Sequence, residues 1–178
     1  VALDLTSFRW QYFDINDDYL TEIRERCLLA LPNNKIHFQQ FDVSIKEFLG
    51  MEVNNVVIVQ IPPRFMQEIH ADFRPDNNVL AINFPLINCQ DAVTEMWESN
   101  ESTLLTERLG YPTNLARRGA CKKIDQFIVD RPVIFNTKIL HSVRNNSRNT
   151  RIAVSLRFKN DPWHLIDQQP DQMTDKTL

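Results

Sequence analysis

From Val56 onward the chain is cut into short β-rich runs, and that rhythm limits the folds open to it more than any other feature. VVIVQI (56–61), MQEIHADF (66–73), VLAINFPL (79–86), AVTEMW (92–97), KIDQFIVD (123–130), PVIF (132–135), ILHSV (139–143) and TRIAVSLRF (150–158) are separated by turn formers such as Pro62-Pro63, Pro75-Asp76-Asn77-Asn78 and Asn88. Eight such strands with helices mainly ahead of them predict a β-sandwich or jelly roll rather than a parallel α/β sheet. The chain has only three glycines and no Gly-rich phosphate loop, which excludes nucleotide-binding folds of the P-loop and Rossmann kinds.

Helical spacing is confined to three places. From Asp17 to Leu31 the apolar residues Leu20, Ile23, Cys27, Leu28 and Leu31 share a face, with Asn16 or Asp17 as cap and Pro32 beyond the end. SIKEFLG predicts a second short helix, with Ser44 and Glu47 as a capping box and Gly50 as its stop. STLLTERLG (102–110) predicts a third, interrupting the strands. The expected organisation is one domain over 1–166, with a helical N-terminal part (about 1–50), an insertion at 99–121 and a polar tail at 167–178. The fold class is mainly β with N-terminal helices.

Composition narrows the function. A net charge of -3 gives no footprint for general nucleic-acid binding. No apolar run approaches the ~20 residues of a membrane helix. No signal peptide is visible in VALDLTSF, and the absence of a starting Met suggests a trimmed or processed chain. Cys27, Cys89 and Cys121 are odd in number and far apart, so they read as reduced structural thiols in a cytoplasmic setting.

Residues 69–73 read IHADF. In an extended strand His70 and Asp72 project from one face, while Ile69, Ala71 and Phe73 take the other. Chance supplies H-x-D often, so a hydrogen-bonded surface pair and two thirds of a metal site both stay open on these residues alone. Of the four histidines, His37 and His164 sit beside turns without an acidic partner at ligand spacing and read as structural. His141 lies in ILHSV, the seventh strand, and His70 with Asp72 in the second. In a double-stranded β-helix those strands are close in one sheet, which lets His70, Asp72 and His141 converge. Two imidazoles and a carboxylate on one face of a metal, with other positions open, suit non-haem Fe(II) oxygen chemistry.

TRIAVSLRF adds a second constraint. Ile152, Val154, Leu156 and Phe158 form an apolar face, opposite Arg151, Ala153, Ser155 and Arg157. An arginine on an inner strand face is costly unless a carboxylate neutralises it. Taken alone, Arg151 pairs with an acidic side chain such as Asp130 or lies in solvent. Joined to the triad, it reads as a two-pronged anchor for the far carboxylate of a dicarboxylate co-substrate.

His70-x-Asp72, then His141, then Arg151 ten residues on, resembles the Fe(II)/2-oxoglutarate-dependent dioxygenase superfamily. The likeness runs from about Val56 to Phe158. Its most characteristic part, FNTKILHSVRNNSRNTRIAVSLRF, is similar to the corresponding segment of aspartyl/asparaginyl and prolyl hydroxylase-like members. The resemblance implies a cupin-like double-stranded β-helix, Fe(II) held by His70, Asp72 and His141, and 2-oxoglutarate as co-substrate anchored by Arg151. It also implies oxidative decarboxylation of 2-oxoglutarate coupled to hydroxylation of a peptide side chain, amino acid or small metabolite. Many members carry a hydroxyl residue two positions after the anchoring arginine; here Ala153 stands there, and Ser155 is the nearby substitute. Asn83 either meets the metal-bound end of 2-oxoglutarate or faces outward. Arg157 resembles the second arginine of the nucleic-acid-dealkylating branch, but lies ~20 Å along the strand from Arg151. The 99–121 insertion, with Arg117, Arg118, Lys122 and Lys123 nearby, either rims the substrate opening or is solvated decoration. Trp97 either lines the cavity or belongs to the core. Two other classes compete: a cupin-type metal enzyme that needs no 2-oxoglutarate, and a non-catalytic binding domain of the same fold. Arg151 argues against the first and the unbroken triad against the second.

Overall fold

The computed structural model describes residues 7–29, 39–40, 45–72, 78–108 and 111–167. In chain order these form β1 (Trp10–Tyr12), α1 (Asp17–Leu29), β2 (Gln39–Gln40), β3 (Glu47–Phe48), β4 (Met51–Ile61), β5 (His70–Asp72), β6 (Leu80–Ile87) and β7 (Ala92–Ser99). They continue with β8 (Leu104–Arg108), β9 (Tyr111–Leu115), a single 3-10 turn at Arg118–Ala120, β10 (Cys121–Ile128), β11 (Val133–Asn136), β12 (Leu140–Asn145), β13 (Arg151–Phe158) and the short α2 (His164–Asp167). One sheet runs β1-β11-β6-β13-β4-β2, with β3 also on β4; the other runs β10-β7-β12-β5-β9-β8. Every pairing is antiparallel. The chain is a jelly roll, with strands distant in sequence interleaved in each sheet.

Alternation sets the two faces of the larger sheet. Val154, Leu156 and Phe158 of β13 join Leu80, Ile82 and Phe84 of β6 and Ile58 of β4 in the main apolar cluster. Ile23 and Cys27 of α1 close over that face. Phe84 packs edge-on against Phe13 and Phe48, with ring centroids 6.4 and 5.2 Å away. Asn16 caps α1, its Oδ1 accepting the Asp18 N–H at 2.8 Å. The helix is shorter on its apolar side than its spacing predicts, because Leu28 and Leu29 are exposed. Burial pushes the Cys27 thiol up to about 11, in keeping with a packing role. The opposite, inner face of the sheet meets the second sheet through Ala81, Val133 and Phe135 packed on Met96 and Phe127.

Two expected helices are strands. In SIKEFLG, Glu47 and Phe48 pair with Glu52 and Met51 across a turn in which Leu49 and Gly50 have φ of 50° and 75°. That pair of left-handed residues is the geometry of a two-residue hairpin, and it drives Phe48 into the main cluster. Ser44 lies outside the described residues. STLLTERLG likewise contains β8, which pairs with β9, which in turn pairs with β5. A helix there would leave the β9 edge uncovered, and sheet pairing overrides the local pattern. Among the described residues the N-terminal part therefore carries short strands beside helix α1, and the 99–121 insertion extends the smaller sheet as a hairpin. His37 and the tail beyond Asp167 lie outside the described residues. No helix among the described residues is long and apolar enough to cross a membrane.

Phe84 is fully buried at the centre of this cluster. Phe84→Ala is expected to cost about 3–5 kcal/mol of unfolding free energy, measured by urea denaturation. Leu104→Ala, on the exposed β8, should change it by less than about 0.5 kcal/mol.

Candidate metal centre

His70 opens β5 and His141 is the second residue of β12, and the two stand directly opposite in the ladder. Their rings lie 4.5 Å apart, centroid to centroid. Asp72, two residues on, projects from the same face as His70. One donor atom from each of His70, Asp72 and His141 can be chosen so that all lie within 4.8 Å of one another. His70 Nε2 and Asp72 Oδ1 are 3.9 Å apart. Donors side by side on one first-row ion sit about 3 Å apart, given bonds of about 2.1 Å, so side-chain movements of about an ångström bring the three onto a common ion.

Each ring is oriented by the same local device. His70 Nδ1–H donates to Glu68 O at 2.9 Å, and His141 Nδ1–H donates to Ile139 O at 2.8 Å. With Nδ1 committed to a carbonyl, Nε2 carries the lone pair that binds a metal. The turn before β12 is tied down in turn. Thr137 O accepts from Asp72 N at 2.9 Å, while Thr137 N and Oγ1 donate to Val79 O at 2.7 and 3.0 Å. His141 is nearly sealed, against the edge of Phe135. Desolvation, reinforced by His70, lowers its pKa to about 4, so it is neutral and metal-competent at ordinary pH.

On the facing sheet, the odd positions of β13 look inward. Arg151 is 2% exposed and its Nε has no hydrogen-bond partner among the described residues. Burial draws its pKa down, and Cys89 opposes that pull. Asp130, the acidic partner considered from the sequence, is instead on the surface 3.8 Å from Arg131. Ser155 stands opposite Asn83 in the ladder, so both share the inner face. Ser155 Oγ and Asn83 Oδ1 are buried and also lack a partner among the described residues. The structure thus brings His70, Asp72 and His141 together on one sheet and sets Arg151, Asn83 and Ser155 on the other.

Arg157 joins the two sheets. Its Nη2 donates to Asp72 Oδ2 at 2.6 Å, leaving Oδ1 on the side of His70. Distance along β13 argued against a shared ligand for both arginines, yet that same distance carries Arg157 to the metal end. Its parity with Arg151 was the available signal. Asn145, also missed, is a buried hub: its Nδ2 reaches Ile61 O, Pro62 O and Asn149 O, and its Oδ1 accepts from Ser147. It shapes the RNNSRN turn that delivers Arg151. Trp97 is half-buried, pairs with Leu140 in the ladder, donates to Ser142 Oγ at 3.0 Å and with Leu140 lines an open cleft of about 560 Å³ that none of His70, Asp72 and His141 borders. Arg118 lies over its ring.

No family model matches the chain, and no curated protein matches it in sequence. Solved structures do match. A Pseudomonas putida prolyl-4-hydroxylase aligns at 16% identity over 89% of this chain and 91% of its own, with a TM-score of 0.44. The non-heme alpha ketoglutarate dependent carbocyclase SnoK from nogalamycin biosynthesis aligns at 13% identity over 96% of this chain and 91% of its own, with a TM-score of 0.53. The likeness to the carbocyclase shows a shared jelly-roll fold.

The low pKa of His141 has a consequence for stability. The folded chain keeps the imidazole neutral down to about 4, while the unfolded chain protonates it near 6.5, so unfolding takes up a proton between those values. The metal-free protein should therefore hold this contribution above pH 6.5 and lose it progressively as pH falls toward about 4. Denaturation in the presence of chelator measures the slope, which His141→Gln should reduce.

Proposed function

We propose that this chain is an Fe(II)- and 2-oxoglutarate-dependent oxygenase that hydroxylates a small molecule or a peptide side chain. One observation carries the reading: a His-Asp-His donor set faces a sheet whose buried arginine, amide and hydroxyl keep unmatched polar atoms. Buried polar atoms without partners cost free energy, and a dicarboxylate 2-oxo acid supplies acceptors for the guanidinium, for the Ser155 hydroxyl and, with the side-chain amide turned to present Nδ2, for Asn83. Two imidazole nitrogens and one carboxylate oxygen suit a first-row divalent ion.

In this reading His70, Asp72 and His141 hold the metal, Arg151 takes the distal carboxylate, and Asn83 and Ser155 meet the polar atoms between. When bound, Fe(II) and 2-oxoglutarate supply the oxidising chemistry, coupling decarboxylation of the 2-oxo acid by dioxygen to hydroxylation of a C–H bond. The chain's own work is positioning. The Glu68 and Ile139 carbonyls fix both imidazole tautomers. Arg157 holds Asp72 Oδ2 and so presents the other oxygen to the ion. Met96 and Phe135 line the inner face beside His141 and exclude water there. The β8–β9 hairpin pairs with β5 and so borders the strand that carries His70 and Asp72.

Anaerobic titration of the protein with Fe(II) and 2-oxoglutarate should develop the weak visible charge-transfer band of the chelate. His141→Ala should abolish it. Arg151→Ala should leave iron affinity intact while weakening 2-oxoglutarate by more than about thirtyfold, the 2 kcal/mol or more lost when one partner of a buried charge pair is removed. No band with the parent protein, or equal loss of iron and 2-oxoglutarate in Arg151→Ala, would overturn the assignment.

A further inference from the structure

His141 and His70 begin a longer row of side chains. Cross-strand partners in an antiparallel pair stand on one face, and the register runs on from His70 to Leu115 of β9 and from Leu115 to Leu104 of β8. Both leucines therefore share the face of the metal donors. Asp72 heads a second row on that face, through Thr113 to Thr106. Neighbouring strands lie about 4.8 Å apart, which sets Leu115 about 5 Å and Leu104 about 10 Å from His70 across the sheet. Cover thins along the row: His141 is buried, His70 and Leu115 are half-buried, and Leu104 is 70% exposed. Leu105, 55% exposed, pairs with Asn114 and takes the opposite face.

We propose that Leu115 and Leu104 form a ledge on which the acyl chain of a small-molecule substrate lies, with its near end at the metal donors. The inference rests on the oxygenase reading above and names the class of substrate. A single exposed leucine is ordinary on a protein surface. Leu104 differs by its place, since it ends an apolar step that starts beside His70 and faces the same way. The step crosses the strands at right angles, so a ligand lying along it meets side chains and no main-chain edge. A peptide backbone would press its amides against two leucines with no partner for them, which is costly. An acyl chain has no hydrogen bond to satisfy and withdraws the exposed leucine from water. Thr106 and Thr113 give the ledge a polar border on the Asp72 side. The carbon to be oxidised then belongs to an apolar chain about 10 Å long, two strand spacings, and a free polar amino acid is too short to use the ledge.

The test reads proton line widths of a neutral probe, N-octanoylglycinamide, with the full chain carrying 2-oxoglutarate and with Mn(II) in place of Fe(II), because paramagnetic broadening falls steeply with distance from the ion. The octanoyl protons should broaden, and N-acetylglycinamide, which lacks the tail, should not. Leu104→Ser should weaken the probe about fivefold, the loss of one apolar contact, while Leu104→Met keeps the contact and stays within about twofold. Leu105→Ser, on the other face, should match the parent. The Fe(II)–2-oxoglutarate band is recorded for each variant and should not change. A band in the parent with no tail broadening, or with equal broadening in Leu104→Ser, overturns the ledge and leaves the oxygenase reading standing. Broadening of N-acetyl-glycyl-leucyl-glycinamide without broadening of the octanoyl tail overturns the acyl occupant in favour of a peptide. A parent that sediments as a dimer and turns monomeric in either serine variant makes the hairpin an interface between copies and overturns it too. Tail broadening in a parent that shows no band supports the ledge and overturns the oxygenase.

Discussion

A period of two along β13 is the constraint on which this molecule depends. Its even residues are committed to the cluster under α1, so its odd residues have nowhere to go but the space between the sheets. β13 is paired on both sides, by β4 through its whole length and by β6 over Ile152–Leu156. A slip of one residue would send Arg151 and Ser155 into the apolar cluster and Val154 and Leu156 into the polar interior. Register and site are thus the same fact. The tight outer packing fixes the polar row, which on its own would be a destabilising arrangement.

The candidate metal centre obeys a complementary logic on the other sheet. Ladder pairing places His70 against His141, and one turn, held by Thr137 to both Asp72 and Val79, ties the carboxylate to the same frame. None of His70, Asp72 and His141 depends on a long loop for its placement. The carbonyl two residues before each histidine sets its ring, so the backbone that positions the strand also selects the nitrogen that faces the ion. Arg157 then couples this sheet to the facing one through Asp72, with both side chains largely shielded from water. Such a pair is sensitive to the loss of either member, because the charge left behind is desolvated.

Much of this was legible in the residues themselves, for reasons that also explain what was not. Short β-rich runs bounded by turn formers mark all eight main strands, and period-two alternation gives both faces of TRIAVSLRF. Short local patterns do not have that protection. Ser44-x-x-Glu47 with Gly50 satisfies a capping box, yet the segment is too short to nucleate a helix and Phe48 gains a place in the core as a strand residue. Leu105 and Thr106 gain ladder partners in β9 that no local pattern announces. The triad was readable because a jelly roll makes the second and seventh strands neighbours. The Arg157–Asp72 contact was not, since it depends on where a strand crosses its partner sheet.

The two arginines of β13 show how one strand sorts its charges. Arg157 meets a protein carboxylate at 2.6 Å and serves the metal end as a fixed part of the frame. Arg151, more deeply buried, forms no ion pair among the described residues. Desolvating a guanidinium costs several kcal/mol unless an anion compensates it, and nothing in the packing of this fold requires an arginine there. A metal-using jelly roll that bound its substrate through the ion alone would be more stable with Leu or Met at 151, in contact with Val59 and Ile61. In the oxygenase proposed above an external carboxylate would recover that cost, so the far end of the strand, and not the histidines, would separate a 2-oxoglutarate enzyme from the other metal enzymes of this architecture.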